Sequence, residues 1–198
     1  MRFASMAGIL ATLALLSACG GDGRGATEAK DLSGYVGTWQ EVMCSDRTMT
    51  TLTFRASDNP GTLVLEVRTE YYDLSNCTGV VLATKSHSPA FSATYTGAGE
   101  GAVRGPRPGS TVQIQFDKFD VVAPAHAFSV EGPTVQEVTN EGGQQWCFES
   151  ITGTVCIPNP GPQPAATHSV SYFLNPPQLY RLAPNGTVFD LGIPYTKR

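Results

Sequence analysis

The segment TLTFRASDNPGTLVLEVR, residues 51–68, contains two runs of alternating apolar and polar residues, separated by the turn sequence Asp58–Gly61. Alternation with a period of two places the apolar side chains on one face of a β-strand. Asn, Pro and Gly together favour a turn. The segment therefore predicts a β-hairpin with one buried face. The apolar positions on that face are Leu52, Phe54, Leu63, Leu65 and Val67.

Another strand is predicted over residues 112–117, which alternate between apolar and polar. The next apolar residues, Phe119 and Val121, fall on the opposite parity, so we expect a β-bulge near Lys118. The apolar positions of the strand before this bulge are Val112, Ile114 and Phe116.

Two further hairpins are predicted around turn sequences, and the rest of the chain adds weaker strand signals. A helical period is nearly absent after residue 18. A total of about nine or ten short strands suggests a single all-β domain, either a barrel or a sandwich. The hairpins span 135–148 and 178–193, the weaker runs are 36–43, 78–86, 90–96 and 168–174, and a proline-rich surface loop is expected at 158–164.

The N-terminus carries a targeting sequence. Arg2 precedes an apolar run, Phe3–Leu16, which is too short for a stable transmembrane helix and fits the core of a signal peptide. The run leads into Leu16-Ser17-Ala18-Cys19, which resembles the lipobox of bacterial lipoproteins. The resemblance implies a signal peptide over residues 1–18 and lipidation of Cys19. The alternative is an ordinary secretory signal with an incidental cysteine.

Lipidation of Cys19 would attach the protein to the bacterial cell envelope through several acyl chains. Residues 19–33 are mostly small and polar, and they predict a lipidated, flexible tether before a β-barrel domain at 34–198. In Gram-negative lipoproteins an aspartate directly after the lipidated cysteine favours the inner membrane. Gly20 follows here, so the resemblance implies the outer membrane, with the domain facing the periplasm.

The charge balance argues against a nucleic-acid partner. The chain has 13 Lys and Arg against 17 Asp and Glu, a net charge of −4, and loss of Arg2 with the signal peptide would change 13 to 12 and −4 to −5. A mildly acidic chain without a basic run lacks the electrostatic footprint of a nucleic-acid-binding protein. No second apolar run is long enough to cross a membrane, so membrane attachment depends on Cys19.

Four cysteines remain for disulfide bonding if Cys19 carries lipid. Four cysteines can pair in three ways, and the sequence does not choose between them. We favour Cys44–Cys77 and Cys147–Cys156, because each pair would link strands that are near in the sequence. No Cys-x-x-Cys occurs, and an exported protein normally oxidises such thiols, so a metal site is not expected.

The sequence Gly37-Thr38-Trp39 resembles the Gly-x-Trp motif that opens the first strand of lipocalins and related calycin barrels. The resemblance implies an antiparallel up-and-down β-barrel of about 8–10 strands, with the tryptophan closing one end. Lipocalins place a basic residue against this tryptophan from the end of the barrel. Arg181 is the candidate here, with Lys197 and Arg198 behind it. The family's middle Thr-Asp-Tyr motif and C-terminal helix are not found.

A closer likeness is to lipocalin-like bacterial lipoproteins of unassigned function. They share an order of features that begins with a lipobox and Gly-Thr-Trp and continues through a cysteine, a Thr/Phe strand, a Tyr-Tyr-Asp segment and a second cysteine. This likeness implies a fold and a compartment and almost no chemistry. The corresponding features here are Gly37–Trp39, Cys44, Thr51–Phe54, Tyr71–Asp73 and Cys77.

The sequence contains none of the common hydrolase, zinc-protease or nucleotide-binding signatures. His87, His126 and His168 are far apart, and each is expected on the surface or in a loop. We therefore predict that the protein is not an enzyme, with no catalytic residue, no metal and no cofactor.

Two functions stay open, and a monomer is expected for both. The first is a barrel that binds a small hydrophobic ligand, unless its apolar interior is a solid core. The second is a protein-binding envelope module, such as a protease or lysozyme inhibitor, with the loop Thr96–Gly109 as the candidate contact and the partner unknown. The candidate ligand-lining residues are Leu52, Phe54, Leu63, Leu65, Val67, Val112, Ile114 and Phe116.

Overall fold

The computed structural model describes residues 30–105 and 107–198, so the predicted signal peptide, Cys19 and most of the predicted tether lie outside the described residues. The described chain contains no helix that is long and apolar enough to span a membrane. Its strands are β1 (Gly37–Glu41), β2 (Thr48–Ala56), β3 (Thr62–Tyr72), β4 (Val81–Ser88), β5 (Phe91–Arg104), β6 (Thr111–Ala123), β7 (Ala127–Glu131), β8 (Gln136–Asn140), β9 (Gly143–Ser150), β10 (Gly153–Pro158), β11 (Ala166–Asn175), β12 (Gln178–Asn185), β13 (Val188–Leu191) and β14 (Tyr195–Lys197).

Eight of these strands close into an antiparallel barrel, in the order β1-β2-β3-β5-β6-β11-β12-β14. The ring closes where β14 pairs with β12 on one side and with β1 on the other. The chain enters the eight strands in sequence order, so the barrel has up-and-down connectivity. The predicted all-β barrel is therefore confirmed, and β4, β7–β10 and β13 are insertions between its strands.

The barrel core is built from the inward face of each strand. Tyr35, Phe54, Phe119 and Tyr172 meet edge to face, with ring centroids 5.2 Å apart for Tyr35–Phe119 and 5.9 Å apart for Phe54–Tyr172. Such pairs contribute roughly 0.5–1.5 kcal/mol beyond the burial of their surface. Leu32, which the sequence placed in the tether, is buried in the same core. The other buried members are Trp39, Leu52, Leu63, Leu65, Ala93, Val121 and Leu179.

The outer halves of β5 and β6 contribute to a second apolar cluster. The register of β5 against β6 shifts between Tyr95 and Gly97, so the bulge lies on β5, opposite Lys118 rather than in β6 itself. β6 keeps a regular alternation along its length. Ile114 and Phe116 face the second cluster, whereas Phe119 and Val121 on the other face are buried in the barrel core, which explains the change of parity. The second cluster contains Val103, Ile114, Phe116, Phe173, Leu182 and Phe189.

The predicted loop Thr96–Gly109 is mostly strand, because β5 continues to Arg104. Glycines allow this part of β5 to lie against aromatic rings. A Cβ atom at Gly101 would stand 2.6 Å from the ring of Phe189, which is closer than real side chains approach. Only a short turn between β5 and β6 remains of the predicted loop.

Both favoured disulfides are confirmed. Cys44–Cys77 joins the segment after β1 to the turn after β3, with the two Cα atoms 5.5 Å apart. Cys147–Cys156 links β9 to β10 inside a separate three-stranded sheet, β8-β9-β10, with the Cα atoms 4.1 Å apart. The small sheet packs on the barrel through Phe148, whose ring centroid lies 5.5 Å from that of Tyr71.

Candidate functional site

One end of the barrel is closed by Trp39, which is 1% exposed. Its indole N–H donates a hydrogen bond to the carbonyl oxygen of Tyr35 at 2.6 Å. The ammonium of Lys197 lies 5.4 Å from the centroid of the indole ring, within the range of a cation–π interaction. Gly37 has a φ of 135°, and a Cβ there would stand 2.7 Å from Cε of Lys197, so this position needs glycine.

The cation over Trp39 is therefore Lys197 and not Arg181, the candidate from the sequence. The reason is β14, a three-residue strand that the alternation did not predict and that is inserted between β12 and β1. Its register places Lys197 opposite Trp39. Arg181 lies further along β12, toward the other end of the barrel.

The closed end also holds a polar network. The hydroxyl of Tyr35 donates to Oδ2 of Asp117 at 2.8 Å, and the ammonium of Lys30 lies 3.2 Å from Oδ1 of the same residue. Burial raises the pKa of Tyr35, and the bond to Asp117 raises it further. Tyr35 therefore stays protonated and donating, and this end of the barrel is sealed.

The opposite end opens into a cavity of about 440 Å³, within the range of small-molecule sites. Its apolar lining comes from four neighbouring barrel strands and is formed by Leu52, Leu65, Val67, Phe91 and Val121, with Val170 on β11. Its polar lining is formed by Thr50, Thr69, His168, Tyr172, Arg181 and Tyr195.

Arg181 is the cation of this lining. It is exposed, and its guanidinium has no ion-pair partner among residues 30–105 and 107–198. Glu41 lies nearby, but its carboxylate is engaged: Oε2 accepts the Thr50 backbone N–H at 2.7 Å and Oε1 accepts the Tyr195 hydroxyl at 3.3 Å. Burial raises the pKa of Tyr195, and Glu41 raises it further, so its hydroxyl remains a donor.

Arg181 also borders a second depression of about 430 Å³, on the outer side of the mouth. The pairing of β11 with β12 ends at Ser171 and Leu182, and beyond this point β12 pairs with β13. The two strands therefore separate beside Arg181. The cavity and the depression share Val170, Arg181 and Tyr195 in their walls.

The candidate lining residues fall into three groups. Leu52, Leu65 and Val67 line the cavity, while Phe54 and Leu63 are buried in the core below it. Val112, Ile114 and Phe116 do not line it, because they lie on the face of β6 that is turned to the second cluster. Phe91, Val121, His168 and Tyr195 also line the cavity and were not predicted from the sequence. The opposite parity of Val121 was the available signal for one of them.

His87 supports the cavity wall from behind and is not a free surface residue. β3 pairs with β5 before residue 66 and with β4 after residue 68, and His87 fills the fork between them. The Val67 backbone N–H donates to Nε2 of His87 at 3.0 Å. Nδ1 lies 3.1 Å from the carbonyl oxygen of Pro89, so the neutral ring carries its proton on Nδ1. The ring stacks on Phe91, with centroids 3.7 Å apart.

We expect the free energy of unfolding to fall as the pH drops below about 6.5, the ordinary pKa of histidine. Burial lowers the pKa of His87, against an opposing effect of its bond to Pro89, and the nearby His126 ring lowers it further. The unfolded chain then takes up a proton that the folded chain resists, so stability decreases with a slope of at most ~1.4 kcal/mol per pH unit. Urea unfolding between about pH 5 and 8 measures this slope.

The control variant is His87→Gln, whose amide oxygen can accept the Val67 N–H without titrating. It should flatten the pH dependence, whereas substitution of the exposed His168 by Gln should leave it in place. An unchanged slope in His87→Gln would show that other groups cause the effect.

Among residues 30–105 and 107–198, the remaining titratable side chains do not assemble a recognisable catalytic group. His126 lies 6.0 Å from His87, measured between ring centroids, but the two rings are separated from the cavity by Phe91. The acidic residues on the outer face of β3 form ion pairs, Arg55–Glu66 at 2.9 Å and Arg68–Glu70 at 2.8 Å. Within the described residues, no group of three His, Cys, Asp or Glu side chains is placed to hold a metal ion.

No protein-family model, curated protein or solved structure matches this chain. The eight-stranded antiparallel barrel is consistent with a lipocalin-like fold. The likeness to lipocalins therefore rests on the architecture and on the Gly-x-Trp sequence at the closed end.

Proposed function

We propose that this protein is a lipid-anchored barrel of the bacterial cell envelope, and that it binds a small amphiphile with an anionic group. The proposal is carried by the cavity at the open end, which has an apolar floor and the guanidinium of Arg181 in its wall. The anchor and the compartment rest on the lipobox-like sequence ending in Cys19.

The apolar part of the ligand would lie against Leu52, Leu65, Val67 and Phe91. Leu52 and Leu65 lie on strands that are paired on both sides, and Val67 is held by pairing with Leu52 on one side and by its bond to His87 on the other. Transfer of apolar surface from water to such a site contributes roughly 25 cal/mol per Å². A hydrocarbon chain or a small ring system fits this lining.

The anionic group would lie against Arg181. Hydrogen bonds between a guanidinium and a carboxylate, sulfate or phosphate are about twice as strong as neutral ones. The hydroxyl of Tyr195 and the engaged carboxylate of Glu41 stand on the same side of the mouth. Arg181 forms no ion pair within residues 30–105 and 107–198, so its guanidinium is available to a ligand.

We expect Arg181→Gln to weaken binding of cis-parinaric acid, a fluorescent fatty acid, by about tenfold or more. Loss of a hydrogen bond to a charged group costs roughly 1.5–3 kcal/mol, and 1.4 kcal/mol corresponds to tenfold in the dissociation constant. Fluorescence titration of the detergent-free protein measures the change in dissociation constant.

Two controls separate the head-group contact from a general loss of fold. The methyl ester of the same fatty acid should bind wild type and Arg181→Gln equally, because it has no anionic group. Arg104→Gln removes an exposed cation that pairs with Asp190 outside the barrel, and it should leave binding unchanged. Equal binding of the free acid to wild type and Arg181→Gln would rule out Arg181 as the anion site.

A further inference from the structure

A groove separate from both the barrel cavity and the depression beside Arg181 lies between the small sheet and the rim of the barrel. Its volume is about 460 Å³. One wall is formed by the consecutive residues 152–157, which include most of β10, and the other by residues 46–48 with Tyr71 and Tyr72. Phe148 contributes from β9. Five consecutive residues of β10, Gly153–Ile157, line this groove together with Thr152 of the preceding turn, so the strand presents its edge to the groove.

The edge of β10 is free for main-chain pairing. Within the described residues β10 pairs only with β9. Cys156 stands opposite Cys147 at a Cα–Cα distance of 4.1 Å, which marks a pair without mutual main-chain hydrogen bonds. The N–H and C=O groups of Cys156, and of Thr154 two residues earlier, therefore point away from β9. Unpaired main-chain donors and acceptors are therefore presented at every second residue of β10 along the groove.

The groove is held in shape by hydrogen bonds between the β9–β10 turn and the barrel. The guanidinium of Arg47 donates to Oγ of Ser150 at 3.1 Å and to Oγ1 of Thr152 at 3.0 Å. The carboxylate of Asp73 accepts the Ser150 hydroxyl and the Ile151 backbone N–H, both at 3.0 Å. These bonds hold the β9–β10 turn, where β10 begins, against the rim.

Backbone strain is concentrated at the same place. Asp46 and Arg47 have φ values of 48° and 66°, and the third described non-glycine residue with positive φ is Cys77, in the adjoining disulfide. Such conformations are kept where the surrounding structure enforces them, often at binding sites. Here they direct the Arg47 guanidinium onto the β9–β10 turn and shape the opposite wall.

We propose that this groove binds an extended polypeptide segment of another protein, which adds to β10 as a further strand. Main-chain pairing with Thr154 and Cys156 would supply affinity, and side chains at alternate positions would contact Tyr71 and Tyr72, which are partly exposed in the opposite wall. Asp46 and Arg47 give the walls one charge of each sign, which favours an uncharged segment. A second copy of this chain is a poor fit, because its own β10 is recessed behind the same rim residues and cannot reach into the groove of another copy.

The test is selection of a phage-displayed random heptapeptide library on the full-length chain, exported and lipidated in a Gram-negative host and held in a mild detergent. We expect enriched peptides with apolar residues at alternate positions. Their binding should fall by about tenfold or more in Thr154→Pro, which removes an outward-pointing N–H and leaves the pairing of β10 with β9 intact. Failure to enrich peptides, or equal binding to Thr154→Pro, would overturn the proposal.

The matched control is Thr139→Pro, at the outer edge of the same sheet. The main-chain N–H and C=O of Cys147 point toward β8, where they pair with Gln136. Thr139 lies three residues after Gln136 on β8, so its main-chain N–H points away from β9. This variant should bind the selected peptides as wild type does. A loss of binding in Thr139→Pro as well would assign the effect to damage of the sheet and overturn the assignment to β10.

A second readout does not depend on any variant of the protein. The selected peptide is N-methylated at alternate residues, in the two possible registers. Main-chain pairing predicts that one register abolishes binding and the other retains it, because alternate residues of a strand face the partner edge. Equal tolerance of both registers would contradict strand addition. A wild-type dimer that Thr154→Pro disperses would instead assign the edge to a second copy, against the proposal.

Discussion

Trp39→Ala is expected to lower the free energy of unfolding by about 3–5 kcal/mol, the cost of deleting a large buried aromatic side chain. Trp39 is 1% exposed and closes the barrel below the core. Its removal leaves a void in the core. It also leaves the carbonyl oxygen of Tyr35 without the indole donor and the ammonium of Lys197 without its cation–π contact. Total stabilities of such domains are about 5–15 kcal/mol, so the variant should be close to unfolding. Urea denaturation monitored by circular dichroism measures the change.

Two further variants separate the contributions of packing, hydrogen bonding and the cation–π contact to this loss of stability. Trp39→Phe keeps most of the packing and loses the bond to Tyr35, so it should cost clearly less than the alanine variant. Lys197→Met keeps the aliphatic chain over the ring and loses only the cation, with an expected cost of about 0.5–1 kcal/mol. A loss below 1 kcal/mol in Trp39→Ala would contradict the assignment of this residue as the closing element of the barrel.

The double variant Cys44→Ser, Cys77→Ser is expected to lose about 3.5 kcal/mol, from the chain entropy of a loop of this length. The two cysteines are 33 residues apart in the chain, against 9 for Cys147 and Cys156. The shorter loop should contribute about 2.5 kcal/mol by the same relation. The ranking of the two pairs is therefore a prediction in itself, and urea unfolding of each double variant checks it.

Cys44–Cys77 also holds the rim segments that carry Arg47 and Asp73. Its removal should therefore raise amide hydrogen exchange in residues 45–48 and 73–80 before the barrel strands are affected. The Cys147–Cys156 variant should instead raise exchange in the small sheet. Equal stability losses and a uniform rise in exchange across the chain would contradict the placement of the two disulfides.

The all-β barrel could be predicted from the sequence because its strands alternate regularly. Residues 51–68 alternate over two full strands and fold as predicted, with β2 and β3 in register across the turn. The period correctly predicts a strand over residues 112–117. The bulge expected near Lys118 lies on β5 instead, because β6 buries one face in the barrel and the other in the second cluster. The period could not predict β14, since three residues are too few to show it.

The candidate site was harder to predict for a physical reason. Which basic residue meets Trp39 depends on the strand that closes the ring, and sequence order alone did not distinguish Arg181 from Lys197. His87 and His126 are brought together by the insertions β4 and β7, whose pairing depends on contacts distant in the sequence. The free edge of β10 likewise follows from which strands pair, and no single residue of β10 signals it.

Native mass spectrometry of the exported protein, made without the proposed lipid anchor and purified without detergent, tests the proposal that the barrel carries a ligand. We expect a bound anionic amphiphile of a few hundred daltons, which is released by organic solvent and is retained less well by Arg181→Gln. A protein mass four hydrogens light for its two disulfides, with no bound species and no uptake of added cis-parinaric acid, would contradict it.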